Sequence, residues 1–154
     1  NAIPHVKLMT TSGDIDVQEA ALADLNVIST SGDINIDLNE NQCLKLVELQ
    51  DKATGLWHTL LDYEDSYLET SASAAIAYGL LKGVRLGLLT GCEEAAQKAL
   101  AGVIAQVGED GIVGGVSYGT PMGRESKDFY KKIELRQMPY GQALAMLFLI
   151  ECLE

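Results

Sequence analysis

The chain has 154 residues, 47% of them hydrophobic and 21% charged, a composition that suits a folded domain with a sizeable core and excludes a disordered chain. Its formal net charge of −11 at pH 7 excludes a general nucleic-acid or anionic-membrane surface, which needs basic residues to neutralise phosphates. Cys43, Cys92 and Cys152 are widely spaced, with no CxxC pair and no histidine ligands beside them, so they read as thiols of a reducing compartment and exclude a zinc site or disulfide framework.

In chain order, residues 1–38 carry a repeat: TSGDID at Thr11–Asp16 recurs as TSGDIN at Thr30–Asn35, 19 residues later. Apolar residues alternate around both copies: Val6, Leu8, Ile15 and Val17 around the first, Val27, Ile34 and Ile36 around the second. The pattern predicts short strands joined by Ser-Gly-Asp turns at Gly13 and Gly32, the signature of a stacked β-coil. It resembles the repeats of bacterial adhesins with a β-solenoid architecture. Asp14 and Asp33 read as turn residues that bond their own backbone, and no metal is expected.

From residue 39 to 154 the period becomes helical. Asn39 or Asn41 is a candidate cap for a helix that turns Leu44, Leu46, Val47 and Leu49 toward a core and ends before Thr54-Gly55. Residues 70–86 predict a narrow helix rich in small residues, with Ala72, Ala74, Ala75 and Ala77 beside Ile76, Leu80 and Val84, and with Thr70 or Ser71 as its cap. Thr90 and Glu93 have capping-box spacing before an amphipathic helix whose Leu100, Val103, Ile104 and Val107 form a stripe, with Glu94 and Lys98 paired outside and Gly108 as the stop. Residues 110–123 read as a glycine-rich loop presenting Ser117, Tyr118 and Thr120. A basic stretch follows, Arg124, Lys127, Lys131, Lys132 and Arg136, either a solvated face or a pocket for a uronate carboxylate. A last helix, Tyr140 to about Leu153, is apolar nearly all round. A buried helix alternating with an amphipathic one is the pattern of concentric helical hairpins.

Four blocks then carry a resemblance: TGLWHTLLD (Thr54–Asp62), SYLETSASAAIAYGLLKGVRLG (Ser66–Gly87), DGIVGGVSYGTPMG (Asp110–Gly123) and PYGQALAMLFLIECLE (Pro139–Glu154). Together they resemble the C-terminal part of glycoside hydrolase family 105, the unsaturated rhamnogalacturonyl hydrolases, related to the unsaturated glucuronyl hydrolases of family 88. The resemblance implies a mainly α fold, part of an (α/α)6 six-hairpin toroid holding about three hairpins, behind the short β-repeat segment. It implies an unsaturated uronide oligosaccharide as partner, hydration of the 4,5 double bond assisted by an aspartic acid, and no cofactor. The family's essential aspartate and its WxRGNGW segment belong to the first half of the barrel and have no counterpart in this chain, whose single tryptophan is Trp57. No catalytic role is therefore carried onto Asp62, Asp65 or any other residue. The resemblance does imply a sugar-binding rim made of Trp57 and His58 in the GLW loop, Tyr67 and Glu69 before the small-residue helix, Ser117 and Thr120 in the glycine-rich loop, and Tyr140 at the start of the last helix; read without it, Trp57 is a core anchor, His58 a satisfied loop histidine and Glu69 a capping or buried hydrogen-bonding group.

Three expectations follow. The chain is a fragment or truncated relative of such a hydrolase, or else a non-catalytic carbohydrate-binding or structural module. Half a toroid leaves inner-helix faces open, so a homo-oligomer, or a second chain supplying the missing half, is expected to cover them. No apolar run reaches membrane-spanning length and no signal peptide is visible, so a cytoplasmic protein is expected, with an upstream segment left open by a start at Asn1.

Overall fold

A computed structural model describes residues 6–10, 15–20, 25–29, 34–38, 40–123 and 125–154. The expected Ser-Gly-Asp turns, with Gly13, Asp14, Gly32 and Asp33, the Asn39 cap and Arg124 lie outside the described residues. The chain forms two compact units, Asn1–Cys43 and Leu44–Glu154.

The first unit holds four strands, β1 (Val6–Thr10), β2 (Ile15–Ala20), β3 (Leu25–Ser29) and β4 (Ile34–Leu38). β1 pairs in parallel with β3, Val6 opposite Leu25, and β2 pairs in parallel with β4, Ile15 opposite Ile34. The β1–β3 register and the Ile15–Val17 part of the β2–β4 register equal the 19-residue sequence repeat; beyond Val17 the register shifts and Ala20 pairs with Leu38. The alternation of β-branched and polar residues makes the strands, and the repeat length sets how they stack.

The second unit is built from α-helices. α1 (Glu40–Glu48) crosses the division between the units, with Asn41 inside it. It is followed by α2 (Thr70–Arg85), α3 (Glu93–Ala105), a 3-10 turn (Lys127–Lys132) and α4 (Pro139–Glu151). Proline at the start of α4 fits a position whose N–H has no partner within the helix. α2 packs against both α3 and α4. α2 and α3 form an antiparallel hairpin, because Gly114 and Gly115 bond Gln106 at the end of α3 and Thr70 at the start of α2. α2 and α4 run parallel, their N-termini meeting one loop and their C-termini joined by Arg85 and Glu151. A parallel pair of inner helices with connecting outer ones is an arc of an (α/α)6 toroid, the mainly α architecture expected.

The caps differ from the sequence expectation. Glu69, not Thr70 or Ser71, is the N-cap of α2, accepting from the N–H of Ala72. The Thr90–Glu93 box does not form; Cys92 is the N-cap of α3 and makes no side-chain cap bond. The stripe on α3 is also rotated. Its buried face is Ala95, Ala96, Ala99, Gly102 and Val103, while Ile104 is 53% exposed. The loop at Thr54–Leu56 lies directly on α3, and a Cβ on Gly102 would sit 2.3 Å from the Thr54 carbonyl oxygen. Close backbone approach to small residues, not the size of the apolar side chains, decides which face of α3 turns inward.

Trp57 and Phe148 are fully buried, with Leu56, Ala74, Ala77, Ala99, Val103 and Val116 around the same core. α4 buries Gly141, Ala145, Phe148 and Glu151, yet Met146 (53%), Leu147 (47%) and Ile150 (55%) remain exposed on its other side. α4 is therefore apolar on its exposed side as well as on its buried one.

Candidate functional site

Glu69 sits where the extended residues after Trp57 become α2. Its backbone N–H donates to the Trp57 carbonyl at 2.9 Å, and the Trp57 N–H donates to Ser73 Oγ at 2.8 Å. Ser73 Oγ donates to the Glu69 carbonyl at 2.7 Å, so one serine locks the aromatic loop onto the first turn of the helix. The Glu69 side chain is 4% exposed. Its carboxylate accepts from Ser71 Oγ at 2.8 Å, from the Ala72 N–H, and from Ser117 through the backbone N–H at 2.9 Å and Oγ at 3.3 Å. A buried carboxylate is tolerable when this many donors replace water and a helix N-terminus faces it. Both oxygens are engaged, and Glu69 fixes the loop in place.

Ser117 in turn receives Tyr140: the phenol donates to the Ser117 carbonyl and accepts from the Gly119 N–H at 3.1 Å. Thr70 N–H bonds the Gly115 carbonyl at 2.9 Å, and Gly115 has φ 67° with Thr70 Oγ1 so near that a Cβ would stand 2.4 Å from it. Only glycine allows the loop this close to the helix start. Glu69, Ser117 and Tyr140 therefore form one cluster that joins the N-termini of α2 and α4 through residues 115–119.

The same loop pairs with the segment after the basic stretch. Tyr118 N–H donates to Glu134 and Arg136 N–H to Val116, which sets the Arg136 guanidinium 4.6 Å from the centre of the exposed Tyr118 ring. Arg136 also meets Glu134 at 2.6 Å, which raises the basicity of the guanidinium and holds the Glu134 carboxyl below its ordinary range. Lys127 pairs with Asp62 at 3.2 Å and Lys131 with Asp65 at 2.7 Å; both ammonium groups lie within 5 Å of the Tyr63 ring. These hydrogen bonds hold both lysines above the usual lysine range and Asp65 below the usual aspartate range. Asp62 and Asp65 thus anchor the 3-10 turn. Of the basic stretch, Lys127, Lys131 and Arg136 are thus paired with carboxylates, and Arg136 is the one that lies beside the glycine-rich loop.

The remaining expected rim residues are placed around this cluster. His58 and Tyr67 are half-buried, on facing segments bridged by His58 and Leu68; His58 Nδ1 lies 2.6 Å from the Ser66 carbonyl oxygen, and Thr59 Oγ1 donates to the Tyr67 hydroxyl at 3.3 Å. Thr120 is exposed and Tyr140 is 37% exposed. Trp57 has no exposed surface; its indole N–H donates to the Leu46 carbonyl at 2.7 Å and fastens α1 to the core. Sequence reasoning missed Ser73 and Gln50. The signal for Ser73 was a lone hydroxyl four residues after Glu69 in a run of alanines. Gln50 is buried and its amide donates to the Gly55 and Ala95 carbonyls, holding the loop from below. A concavity of about 490 Å³ lies at the other end of α3, lined by Val47, Gln50, Lys52, Gly91, Ala95 and Lys98, away from the Glu69 cluster. Among the described residues no three His, Cys, Asp or Glu side chains come together as a metal site would need.

Comparison with known proteins bears on the same stretch. Residues 19–154 match the model of Glycosyl Hydrolase Family 88. The chain is similar to the unsaturated rhamnogalacturonyl hydrolase YesR of Bacillus subtilis, 42% identical over 115 residues, covering 74% of this chain and 31% of that protein. Among solved structures it resembles a possible member of the GH105 family from Salmonella enterica serovar Paratyphi A (47% identical, 73% of this chain and 29% of that one, TM-score 0.69). It also resembles a possible GH105 member from Klebsiella pneumoniae (46% identical, 74% and 30%, TM-score 0.70). The chain spans about a third of the length of the curated relatives it matches.

Proposed function

Because this chain belongs to glycosyl hydrolase family 88, we propose that it forms one wall of the sugar cleft in a toroidal hydrolase of unsaturated uronyl oligosaccharides derived from rhamnogalacturonan or pectin. The observation that carries this reading is the Glu69–Ser117–Tyr140 cluster, which brings the N-terminal ends of both inner helices to a single loop. In this reading His58, Tyr67, Thr120 and Tyr140 present ring edges and hydroxyls to the sugar. Trp57, Glu69 and Ser117 hold that rim in position from below. Arg136, stacked on Tyr118, offers a guanidinium to the uronate carboxylate.

The reaction proposed for the assembled toroid is hydration of the 4,5 double bond. A general acid protonates the vinyl ether and water adds to the resulting cation, giving a hemiketal that opens and releases the sugar. The acid comes from outside this chain. Glu69 has both oxygens occupied, and Asp62 and Asp65 are tied to lysines on the surface, so none of the three is poised to deliver a proton. The open face of α4 is covered by another part of the toroid, from a second copy or a separate chain. Widely spaced cysteines with no CxxC pair suit a cytoplasmic setting.

A second reading, a carbohydrate-binding or assembly module without catalysis, is favoured by the same saturation of Glu69. Titration of the chain with an unsaturated rhamnogalacturonyl disaccharide, following heat and the double-bond absorbance together, tests the proposal. Saturable binding with constant absorbance is expected. Loss of absorbance with the chain alone would place the acid here and overturn the assignment, and absence of binding would remove the rim.

A further inference from the structure

The 3-10 turn Lys127–Lys132 belongs to a loop that is joined at its base and packed by its own side chains. Ser117 and Leu135 bridge the two ends, and the Tyr118 N–H donates to the Glu134 carbonyl at 2.8 Å. Within the loop the Phe129 and Tyr130 rings meet edge on at 5.4 Å, and the Gly123 N–H donates to the Tyr130 hydroxyl at 3.1 Å. Gly123 lies so close to Phe129 that a Cβ would stand 2.7 Å from the ring. Closed ends and internal packing let such a loop move as one piece. None of the described residues from Tyr118 to Tyr140 is buried, so no side chain of the loop is sunk in the core to hold it down.

The surface it meets is fixed. In residues 60–66, Ser66 is 5% exposed, its Oγ donates to the Tyr63 carbonyl at 2.7 Å, and the Tyr63 N–H donates to Leu60 at 2.9 Å. This segment carries Asp62, Glu64 and Asp65 around Tyr63, while residues 125–133 carry Lys127, Lys131 and Lys132 against Glu125 and Asp128. Lys127 meets Asp62 and Lys131 meets Asp65, with both ammonium groups on the Tyr63 ring. The side chains of Asp62, Asp65 and Lys127 are each more than half exposed, so water and salt compete for this contact. Lys131 also lies 3.4 Å from Asp128 of its own turn, a partner it keeps when the contact opens.

We propose that residues 125–133 form a strap latched by charge, which swings as a unit about the Ser117–Leu135 bridge between the closed position of this structure and an open one with the Lys127–Asp62 and Lys131–Asp65 contacts broken. The latch ties together the two segments that bear the rim: His58 and Tyr67 flank residues 60–66, and Tyr118 and Thr120 lead into the strap. Resting on the sugar-cleft reading, the strap is then the element that closes on a bound sugar and sets how long it stays.

Hydrogen exchange of the full chain, followed by mass spectrometry without sugar, tests the latch. Asp62→Asn combined with Asp65→Asn removes both carboxylates and leaves the strap's own sequence, and hence its intrinsic exchange, unchanged. Peptides covering 125–133 should exchange several-fold faster in this variant, and in the parent chain at about 1 M salt, where the screening length is about 3 Å. Peptides from α2 and α4 should not change, and Glu94→Gln, which breaks the Glu94–Lys98 surface pair, should leave the strap as it is. Unchanged strap exchange overturns the proposal, as does an equal acceleration in α2 and α4, which would mean general loosening. Binding to an immobilised unsaturated rhamnogalacturonyl disaccharide then reads the consequence: release should be several-fold faster from the double variant, and identical release overturns the strap's hold on the sugar. If no chain binds, the rim reading falls, and the exchange comparison still decides the latch.

Discussion

Arg85, in the last turn of α2, bonds Glu151, in the last turn of α4, through Nε to one carboxylate oxygen and through Nη2 to the other at 3.2 Å. With the Glu69–Ser117 bond at the opposite ends, this pair holds the two inner helices parallel along their whole length. The hydrogen bond from Arg85 depresses the Glu151 carboxyl below the ordinary glutamate range. A depressed carboxyl contributes stability above its unfolded pKa and loses it as pH falls through the folded value. Thermal midpoints measured through the acid range should therefore fall from the ordinary glutamate range downward in the parent chain. In Arg85→Met that part of the acid dependence should flatten; an unchanged slope would mean that the pair does not couple to folding.

Glu69 gives the largest expected effect of any polar substitution in the cluster. Glu69→Ala leaves the Ser117 N–H and the Ala72 N–H without their acceptor in a buried setting, a cost of roughly 2–3 kcal/mol. Ser117→Ala keeps its backbone bond to Glu69 and should cost about 1 kcal/mol. Denaturant midpoints with unchanged slopes check both values.

Gly55 tests the close approach of the loop to α3. Its φ is 76°, and a Cβ would stand 2.3 Å from the Lys98 carbonyl oxygen. Gly55→Ala combines a strained backbone with a backbone clash and should destabilise by at least about 2 kcal/mol, read as a lowered denaturant midpoint. Gly87→Ala meets no atom within 4 Å at a φ of 71° and should cost only the backbone term, about 1 kcal/mol.

The helices were legible because composition decides them. Alanine-rich α2 and apolar α4 appear within a residue or two of their expected spans, and the Glu94–Lys98 pair forms at 2.9 Å. The phase of α3 was not legible, because it depends on Thr54 and Leu56 lying against Gly102, a contact 46 or more residues apart in sequence. Of the candidate caps for α2, Glu69 and neither Thr70 nor Ser71 takes the role. Thr70 and Ser71 are the commoner caps, yet Glu69 is drawn into that role by Ser117, which local spacing does not reveal. Arg136 could be read only as one of several basic residues; the bridge between Ser117 and Leu135 is what brings it to Tyr118. The register of β1 on β3 and of Ile15–Val17 on β4, by contrast, equals the repeat length in the sequence.

The open face of α4 predicts a solution property. Met146→Lys and Ile150→Lys change exposed positions, so each should alter stability by less than about 0.5 kcal/mol. Both should reduce dye binding to exposed apolar surface. A large loss of stability would mean that these side chains are covered within the chain.

The most direct test of the sugar-cleft account is reconstitution with the N-terminal two thirds of the Bacillus subtilis relative, assayed as loss of the double-bond absorbance of an unsaturated rhamnogalacturonyl disaccharide. The account predicts turnover by the mixture and none by either part alone, with Glu69→Ala in this chain lowering the mixture's rate. Turnover by this chain alone, or an inert mixture whose two parts are shown to have assembled, would contradict it.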